Sequence, residues 1–382
     1  MSVIAIPVVD DGLWKVIAAH SDSVDRGSRF PVEAVEGLAD RGLLGLGVPQ
    51  ELDGPGGGPA DIVAAIERVA SACSSTAMVY VMHLIATQTL LAGAAESGAN
   101  TDILRQIGGD RHLTTLAFSE RATRSHFWAQ ASRATIERGC AVIDAHKSWV
   151  TSAGHAASYV TATGAAGADD PMVTELYLVS ADTPGIVVGD LFDGLGLCGN
   201  ASSPVEFTGV RVGLDRRLGA PASGMALMME ATLPWFVLGC AACCVGLAGA
   251  AIEMAAAHVA GARIEHLDMP LSGVAVNRAR LGEAKIRQMQ ARALLYEVAH
   301  QIAAGDPDAQ LGVLALKAAA AEMAIAVTDE TMRVCGGAAF SRHLPLERLF
   351  RDARAATVMA PTSDMLRDML GRTLTGRPLF DA

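Results

Sequence analysis

Apolar residues recur three and four positions apart through most of the first part of the chain. The spacing is clear at Val63 and Ile66 and again within 78–85. Such a repeat places the apolar side chains on one face of a helix. A loop rich in glycine and proline at 53–59 separates the helical stretches. The pattern predicts an N-terminal α-helical domain over residues 1–112.

The pattern changes after His112, where short stretches alternate between apolar and polar residues. Glycine, aspartate and proline, which favour turns, separate these stretches. They lie at 114–118, 141–145, 159–163, 175–179 and 205–212. The alternation predicts a middle β-domain over residues 113–222.

Long helical repeats return in the last part of the chain. They cover 225–260, 275–304 and 311–334, and the glycine pair 336–337 ends the last of them. We therefore expect a C-terminal helical bundle over residues 223–382. Helices, then strands, then helices form an α+β order without βαβ alternation. A doubly wound dinucleotide-binding fold is disfavoured, and no GxGxxG motif follows a predicted strand.

Composition and charge narrow the choice of partners and location. The chain has 382 residues, 51% of them apolar, and a net charge of −11 without a run of Lys and Arg, so nucleic acid is not an expected partner. Residues 1–11 lack a positive stretch, so we expect no secretory signal and a cytoplasmic protein. The uncharged stretch 231–252 is rich in Ala, Gly and Cys, which favours a buried bundle helix over membrane insertion. The seven cysteines lack metal-ligand spacing, so we expect reduced core thiols and no metal site.

Five segments, in order along the chain, resemble the motifs of one protein family. They are 42–54 (GLLGLGVPQELDG), 116–125 (LAFSE, then Ser125), 147–154 (KSWVTSAG), 195–207 (LGLCGN and VEF) and 336–354 (GG, PLER and RDAR). The family is the acyl-CoA dehydrogenases, and the resemblance spans almost the whole chain. It implies the acyl-CoA dehydrogenase fold, which is α+β: an N-terminal α-helical domain, a middle β-domain and a C-terminal four-helix bundle. It also implies FAD between the β-domain and the bundle, an acyl thioester substrate, and a homodimer or homotetramer.

The resemblance also assigns residues to FAD binding. By position they are Phe118, Ser119, Ser125, Trp149, Thr151, Gly336, Gly337 and Thr362. Phe118 and Ser119 face the isoalloxazine ring, Trp149 and Thr151 cover it, and Ser125 meets the pyrophosphate or the pantetheine arm of the substrate. The two glycines allow a neighbouring subunit's FAD to approach, and the threonine at 362 touches the pyrophosphate. A flavin needs a flat aromatic wall and hydrogen-bond donors, which Trp149 and Thr151 offer from one extended segment. The alternative is that Trp149 is a core aromatic that closes the β-domain.

Two departures from the family's pattern affect the expected chemistry. The family's dehydrogenases remove the substrate's α-proton with a Glu, and its position is Ala360 here. Some members keep this base in the first bundle helix, where this chain has Phe236, or Trp235 if the register slips by one. The family's Arg and Gln that hold a neighbouring subunit's FAD are also missing, since Ala275 stands at the Gln position and Arg263 lies out of register. We therefore expect incomplete FAD occupancy.

The catalytic acid or base is unknown from the sequence, and His126 and Glu120 are the remaining candidates. His126 lies beside Ser125 and is the more attractive proton donor, whereas Glu120 matches a structural Glu of the family. Glu230, His83 and Asp364 are interpreted as structural. The bulky residues of the loop after Glu120 either narrow the flavin pocket or simply repack: Arg124, Phe127 and Trp128.

Three functions follow from these observations. The first is a FAD-dependent oxidoreductase that acts on an acyl thioester of CoA or of a carrier protein, or on a related small molecule. The second is a flavin-dependent monooxygenase on the same fold, which needs no α-proton base. The third is a non-catalytic subunit of a heteromeric acyl-CoA dehydrogenase. The set of family motifs favours the first function, and Ala360 favours the second.

Overall fold

The computed structural model describes residues 6–109 and 111–380. Residues 1–5, part of the segment in which we expect no secretory signal, lie outside it. The described N-terminal residues form helices α1 to α5: Asp11–Arg26, Val32–Asp40, Pro59–Ala72, Ser74–Ser97 and Thr101–Gly109. The first helix begins where the Asp10 carboxylate accepts the Leu13 N–H at 2.7 Å, a typical N-cap. The predicted helical character of this region is confirmed.

The middle of the chain forms a mainly antiparallel sheet. Its strands β1 to β8 are Thr114–Ala117, Arg133–Glu137, Cys140–Val150, Ser158–Gly164, Thr174–Ser180, Ile186–Val188, Ser203–Gly213 and Arg217–Leu218. The strand order is β6-β7-β3-β2-β4-β5-β8, and β1 pairs with β4 in parallel. The predicted strands are present. The sequence did not predict β2, β6 and β8, because the first two are mostly exposed and the third has two residues, so none shows a clear alternation.

The C-terminal region is helical. Helices α6 to α13 are Gly224–Leu227, Leu233–Gly261, Ala275–Ala304, Ala309–Cys335, Gly337–Phe340, Leu346–Ala353, Ala355–Val358 and Ser363–Leu374. A π-helical turn, Met228–Thr232, joins α6 to α7. Helices α7, α8 and α9 pack on one another and α13 packs on α9, which gives the expected bundle. The short strands β9 (Arg263–Ile264) and β10 (Met269–Pro270) pair between α7 and α8.

One apolar core joins both helical regions to one face of the sheet. Helices α3 and α4 pack on α7, and Val160 and Leu178 of the sheet belong to the same core. The other face of the sheet has its own cluster, which includes Tyr159 and Phe207. The helices therefore cover one sheet face and place residues of α4, α7 and the chain after α11 opposite the ends of β1 and β3.

Three helical segments are long and apolar enough to cross a membrane: Ser74–Ser97, Gly224–Gly261 and Ala309–Cys335. In the folded chain, 78%, 78% and 61% of their most apolar windows are buried inside the protein. The stretch 231–252 lies in the second segment, where the sequence predicted a buried bundle helix. All seven cysteines are free thiols, and five of them are buried.

Candidate active site

A cavity of about 500 Å³ lies between the sheet and the helices. On its sheet side, a group that we call the sheet wall consists of Ser119, Ser148, Trp149 and Thr151. On its helical side, a group that we call the helical wall consists of Met82, Phe236 and Ala360. Cavities of this size hold cofactors and other small ligands in many proteins.

Lys147 on β3 holds the sheet wall from behind. Its ammonium donates to the Glu120 carboxylate and to the Gln130 side-chain oxygen, each at 2.7 Å. Glu120 also accepts the backbone N–H groups of Ala131 and Ser132 at 2.7 and 3.1 Å. Burial alone would raise the pKa of Glu120, but the Lys147 ammonium and these hydrogen bonds hold that pKa below its ordinary value. Glu120 is therefore an ionised structural carboxylate.

Trp149 combines an unusual backbone with an exposed ring. Its φ of 58° lies in the left-handed region, and the pairing of β3 with β7 shifts register there. As a result the indole is 61% exposed and stacks on Phe192, with 4.0 Å between ring centroids. Thr151 follows as a buried residue whose carbonyl accepts the Thr115 hydroxyl at 2.9 Å. Trp149 is thus not a core aromatic of the β-domain, and its contact with a flavin stays a prediction.

A second cavity of about 60 Å³ shares with the first all three residues of the helical wall and, from the sheet wall, Ser119, Ser148 and Trp149. Its lining is mainly apolar and includes Leu116, Phe118, Phe127 and Leu233. Phe118 lines this cavity and not the larger one. The side chain of Phe127 is buried in the protein. Apolar walls of this kind exclude water and suit an alkyl group.

A second buried lysine holds the segment that carries Ala360. Lys317 on α9 donates to the backbone carbonyls of Ala356, Met359 and Pro361 at 2.7, 2.9 and 2.8 Å. In the described part of the chain no carboxylate forms an ion pair with this ammonium. Burial lowers the pKa of Lys317, because the charged form loses its hydration. The three bonds fix the backbone on both sides of Ala360.

The residues considered for proton transfer are either engaged by other groups or lie outside the two cavities. Glu120 lines the larger cavity but is engaged by its lysine. His126 is exposed and lines neither cavity; its Nδ1 lies 3.3 Å from the Thr123 carbonyl, and its ring meets Trp128 edge-on at 5.4 Å. Both ring nitrogens of the buried His83 are hydrogen-bonded, and burial lowers its pKa to about 4. Neither cavity is lined by Glu230 or Asp364.

Of the remaining residues predicted to bind FAD, one lines the larger cavity and three line neither cavity. Ser125 lines the larger cavity. The glycine pair 336–337 lies at the end of α9, outside both linings, and its predicted contact with a neighbouring subunit's FAD stays a prediction. The Thr362 hydroxyl caps α13 by accepting the Met365 N–H at 3.3 Å and also lies outside both linings.

Part of the cavity comes from residues that the sequence did not assign to a site. The loop at 192–202 contributes Phe192 and Asn200, and it is tied to α11 because Asp352 accepts the Leu197 N–H at 2.7 Å. Burial raises the pKa of Asp352 to about 6. Leu197 and Asp352 both belong to motifs of the family resemblance, which therefore contains a signal for this contact, whereas Phe192 lies before the motif. Met82 comes from α4, where no motif marks a site.

Comparisons with known proteins agree with this architecture. Family models described as the acyl-CoA dehydrogenase N-terminal, middle and C-terminal domains match residues 8–99, 115–210 and 222–375. The chain is 27% identical to the mitochondrial short-chain specific acyl-CoA dehydrogenase of Bos taurus, over 90% of this chain and 82% of the relative. It is 26% identical to the acryloyl-CoA reductase (NADH) of Anaerotignum propionicum, over 94% and 90%. The structure of butyryl-CoA dehydrogenase from Megasphaera elsdenii matches with a TM-score of 0.86 and 21% identity, over 95% of this chain and 97% of that one.

Proposed function

Because the chain belongs to the acyl-CoA dehydrogenase family, we propose that it is a FAD-dependent oxidoreductase whose substrate is an acyl thioester of CoA or of a carrier protein. One observation carries the proposal: a polar sheet wall with an exposed indole faces an apolar helical wall across one cavity. A flat ring bound to the first wall would lie beside an alkyl chain bound against the second. The confirmed fold supports this arrangement.

We also propose a cytoplasmic homodimer or homotetramer. The bundle helix α8 supports the assembly, because in the single chain only a few of its residues are buried. Its exposed apolar residues include Val276, Ile286 and Met289. An assembly that covers this helix would remove their side chains from water.

The residues of the larger cavity suit FAD. Trp149 offers a flat face, and Ser119 and Thr151 carry hydroxyl groups on the same wall. These residues would hold the ring system, and the Ser125 hydroxyl of the same cavity would be a donor for the ribityl and phosphate tail. Bound flavin supplies the two-electron acceptor of the reaction. The chain's own contribution is to orient the ring and to exclude water from the apolar side.

We infer from the register of the family motifs that this chain departs from the family in proton removal. By that register Ala360 and Phe236, or Trp235 one residue earlier, stand where the family keeps its base. Ala360 and Phe236 line both cavities. Neither side chain accepts a proton, and among the described residues of the two linings the carboxylate present is Glu120, which Lys147 engages. Loss of a general base typically slows a reaction by about 10²- to 10⁴-fold. This observation favours a second candidate function, a flavin-dependent monooxygenase, which needs no α-proton base.

A single preparation of the protein tests both flavin binding and the chemistry of proton removal. The first experiment is a titration with FAD. We expect the parent to bind FAD and Trp149→Ala and Thr151→Ala each to weaken binding by about 1–2 kcal/mol, the usual cost of a lost contact or hydrogen bond. Ile136→Ala is the control, because Ile136 is a half-exposed residue of the same sheet that lines neither cavity. If the folded parent binds no flavin, the oxidoreductase proposal fails and a non-catalytic subunit takes its place.

Anaerobic mixing of the FAD-loaded protein with saturated acyl-CoAs then tests the chemistry. We expect the flavin absorbance of the parent to bleach slowly and that of Ala360→Glu to bleach faster. Ala360→Gln is the control, since it matches the glutamate in shape but accepts no proton. Rapid bleaching of the parent would show that another residue is the base. If neither protein bleaches, but the reduced parent oxygenates a substrate when oxygen is added, the monooxygenase replaces the dehydrogenase.

A further inference from the structure

Two arginines without partners line the larger cavity next to Ser125. They are Arg121 and Arg124, and both side chains are exposed. Within residues 6–109 and 111–380 neither guanidinium forms an ion pair or a side-chain hydrogen bond. The carboxylate of the same lining, Glu120, is already neutralised by Lys147. The cavity therefore carries two uncompensated positive charges in a chain whose net charge is −11.

Arg124 occupies a backbone conformation that favours glycine. Its φ is 54°, and its N–H donates to the Glu120 carbonyl at 3.0 Å, so a tight turn fixes this conformation. The left-handed region costs a residue with a Cβ about 1–2 kcal/mol, whereas glycine enters it freely. Strain of this kind beside a cavity is typical of residues that contact a ligand.

We propose that Arg121 and Arg124 form a phosphate clamp that holds the pyrophosphate of FAD within the same chain. The proposal rests on the proposed function, because it places the flavin ring on the sheet wall. Guanidinium groups bind phosphate oxygens through paired N–H donors. Arg263, the cation that the family resemblance leaves for a neighbouring subunit's FAD, is engaged by the Asp268 carboxylate. The clamp supplies the missing positive charge from the chain that also binds the ring.

A phosphate also ends the pantetheine arm of an acyl thioester, so the ligand must be distinguished from that alternative. Both arginines line the larger cavity together with Ser125 and Thr151, and none of these four residues lines the smaller apolar cavity. Their place beside the ring-binding wall favours the phosphates of the flavin. A clamp for FAD should recognise the phosphates and ignore the ring.

The test compares three flavins that share one ring: FAD, FMN and riboflavin. Each is titrated into the full chain freed of flavin, and binding is measured from the flavin fluorescence. We expect Arg121→Gln and Arg124→Gln each to raise the Kd for FAD about tenfold, as the loss of a charge-assisted hydrogen bond does, and to leave the Kd for riboflavin unchanged. The salt dependence of FAD binding should also become weaker. Arg138→Gln should change nothing, because Arg138 is an exposed arginine with a φ of 50° that lines neither cavity.

Arg124→Gly separates the clamp from a general loss of folding. Glycine relieves the left-handed backbone, so we expect a higher melting temperature together with a raised Kd for FAD. Equal weakening of FAD and riboflavin, or unchanged FAD binding, would overturn the clamp while leaving the flavoprotein in place. A weaker affinity for CoA with unchanged FAD binding would assign the arginines to the thioester instead. A parent that binds no flavin overturns the clamp and the proposed function together.

Discussion

The two walls of the cavity are each held by a buried lysine, and the two lysines have different partners. Lys147, behind the sheet wall, is 1% exposed and lies 2.7 Å from the Glu120 carboxylate. Lys317, behind the helical wall, is 0% exposed and donates to three backbone carbonyls. The first ammonium has an anionic partner in addition to the carbonyls of Phe118 and Ala162, whereas the described partners of the second are peptide carbonyls.

This difference determines what each wall loses when its lysine is replaced. Removing the cation of an ion pair leaves a buried carboxylate without its counter-ion, which costs more than carbonyl groups without donors. A buried cation without an anion also retains part of its desolvation cost in the native protein, so its removal relieves some of that cost. The free energy of unfolding should therefore fall more when the lysine of the sheet wall is replaced than when the lysine of the helical wall is replaced.

Replacing Lys147 should give the largest effect. In Lys147→Met the charge of Glu120 remains buried, and we expect the free energy of unfolding to fall by about 3–5 kcal/mol. Chemical denaturation at neutral pH measures the loss. Lys15→Met is the control: Lys15 is an exposed residue of α1, and its replacement should change the free energy of unfolding by less than about 0.5 kcal/mol.

The double variant Lys147→Met/Glu120→Gln shows whether the stranded charge causes this loss. The amide keeps an acceptor for the N–H groups of Ala131 and Ser132 but carries no charge. We expect the double variant to be more stable than Lys147→Met alone. The losses in free energy of unfolding caused by Lys147→Met and by Glu120→Gln should not add in the double variant. If they do add, the two residues are not coupled, and the contrast between the walls has no electrostatic basis.

The sequence predicts the helices of this fold better than its strands. The bundle helix α8 coincides with the predicted range 275–304, because apolar spacing marks its course and Gly305, with a φ of 65°, ends it. The strand β2 was missed because four of its five residues are exposed and alternate too weakly. Local patterns indicate a helix from one face alone, whereas a short and mostly exposed strand lacks the apolar alternation that would mark it, even though its partner β3 follows directly in the chain.

The site was also predicted only in part. The motif at 147–154 identified Trp149 and Thr151, which do lie on one wall of the cavity. The exposure of the indole depends on a left-handed residue and a register shift, which residue preferences do not indicate. Met82 and Phe192 reach the cavity through packing between distant elements. Such convergence is a property of the fold and has no local signal.

Replacing Lys317 should have a smaller and more local effect. Lys317→Met removes the three hydrogen bonds around Ala360 without stranding an anion, and we expect a loss of about 1–3 kcal/mol. Hydrogen exchange locates the change: the Met359 N–H, which donates to Ala355, should exchange faster, while the Ser148 N–H, which donates to Ser119, should keep its rate. A loss as large as that of Lys147→Met, or faster exchange at both amides, would contradict the contrast.

The smallest effect is in the pH dependence of stability, where the acid side separates the two walls and the alkaline side does not, because burial lowers the pKa of Lys147 as well as that of Lys317. The pKa of Glu120 in the folded protein lies below its ordinary value of 4.5. The contribution of Glu120 to the free energy of unfolding is therefore complete above pH 4.5 and is lost as the pH falls through the lower pKa of the folded protein. At that end of the scale Lys317 is protonated in both the folded and the unfolded chain and contributes no slope.

Lys317 should make stability depend on pH on the alkaline side, because burial lowers its pKa below the ordinary value of 10.5. Between the folded pKa and 10.5 the unfolded chain binds more protons at this site, so a rise in pH stabilises the folded protein. Subtracting the free energy of unfolding of Lys317→Met from that of the parent isolates this contribution, since groups that titrate alike in both proteins cancel. We expect the difference to grow in favour of the parent as the pH rises from neutral toward 10.5. A flat or falling difference would mean that burial does not lower the pKa of Lys317 in the folded protein, so that its three carbonyl partners stabilise the ammonium as well as water does.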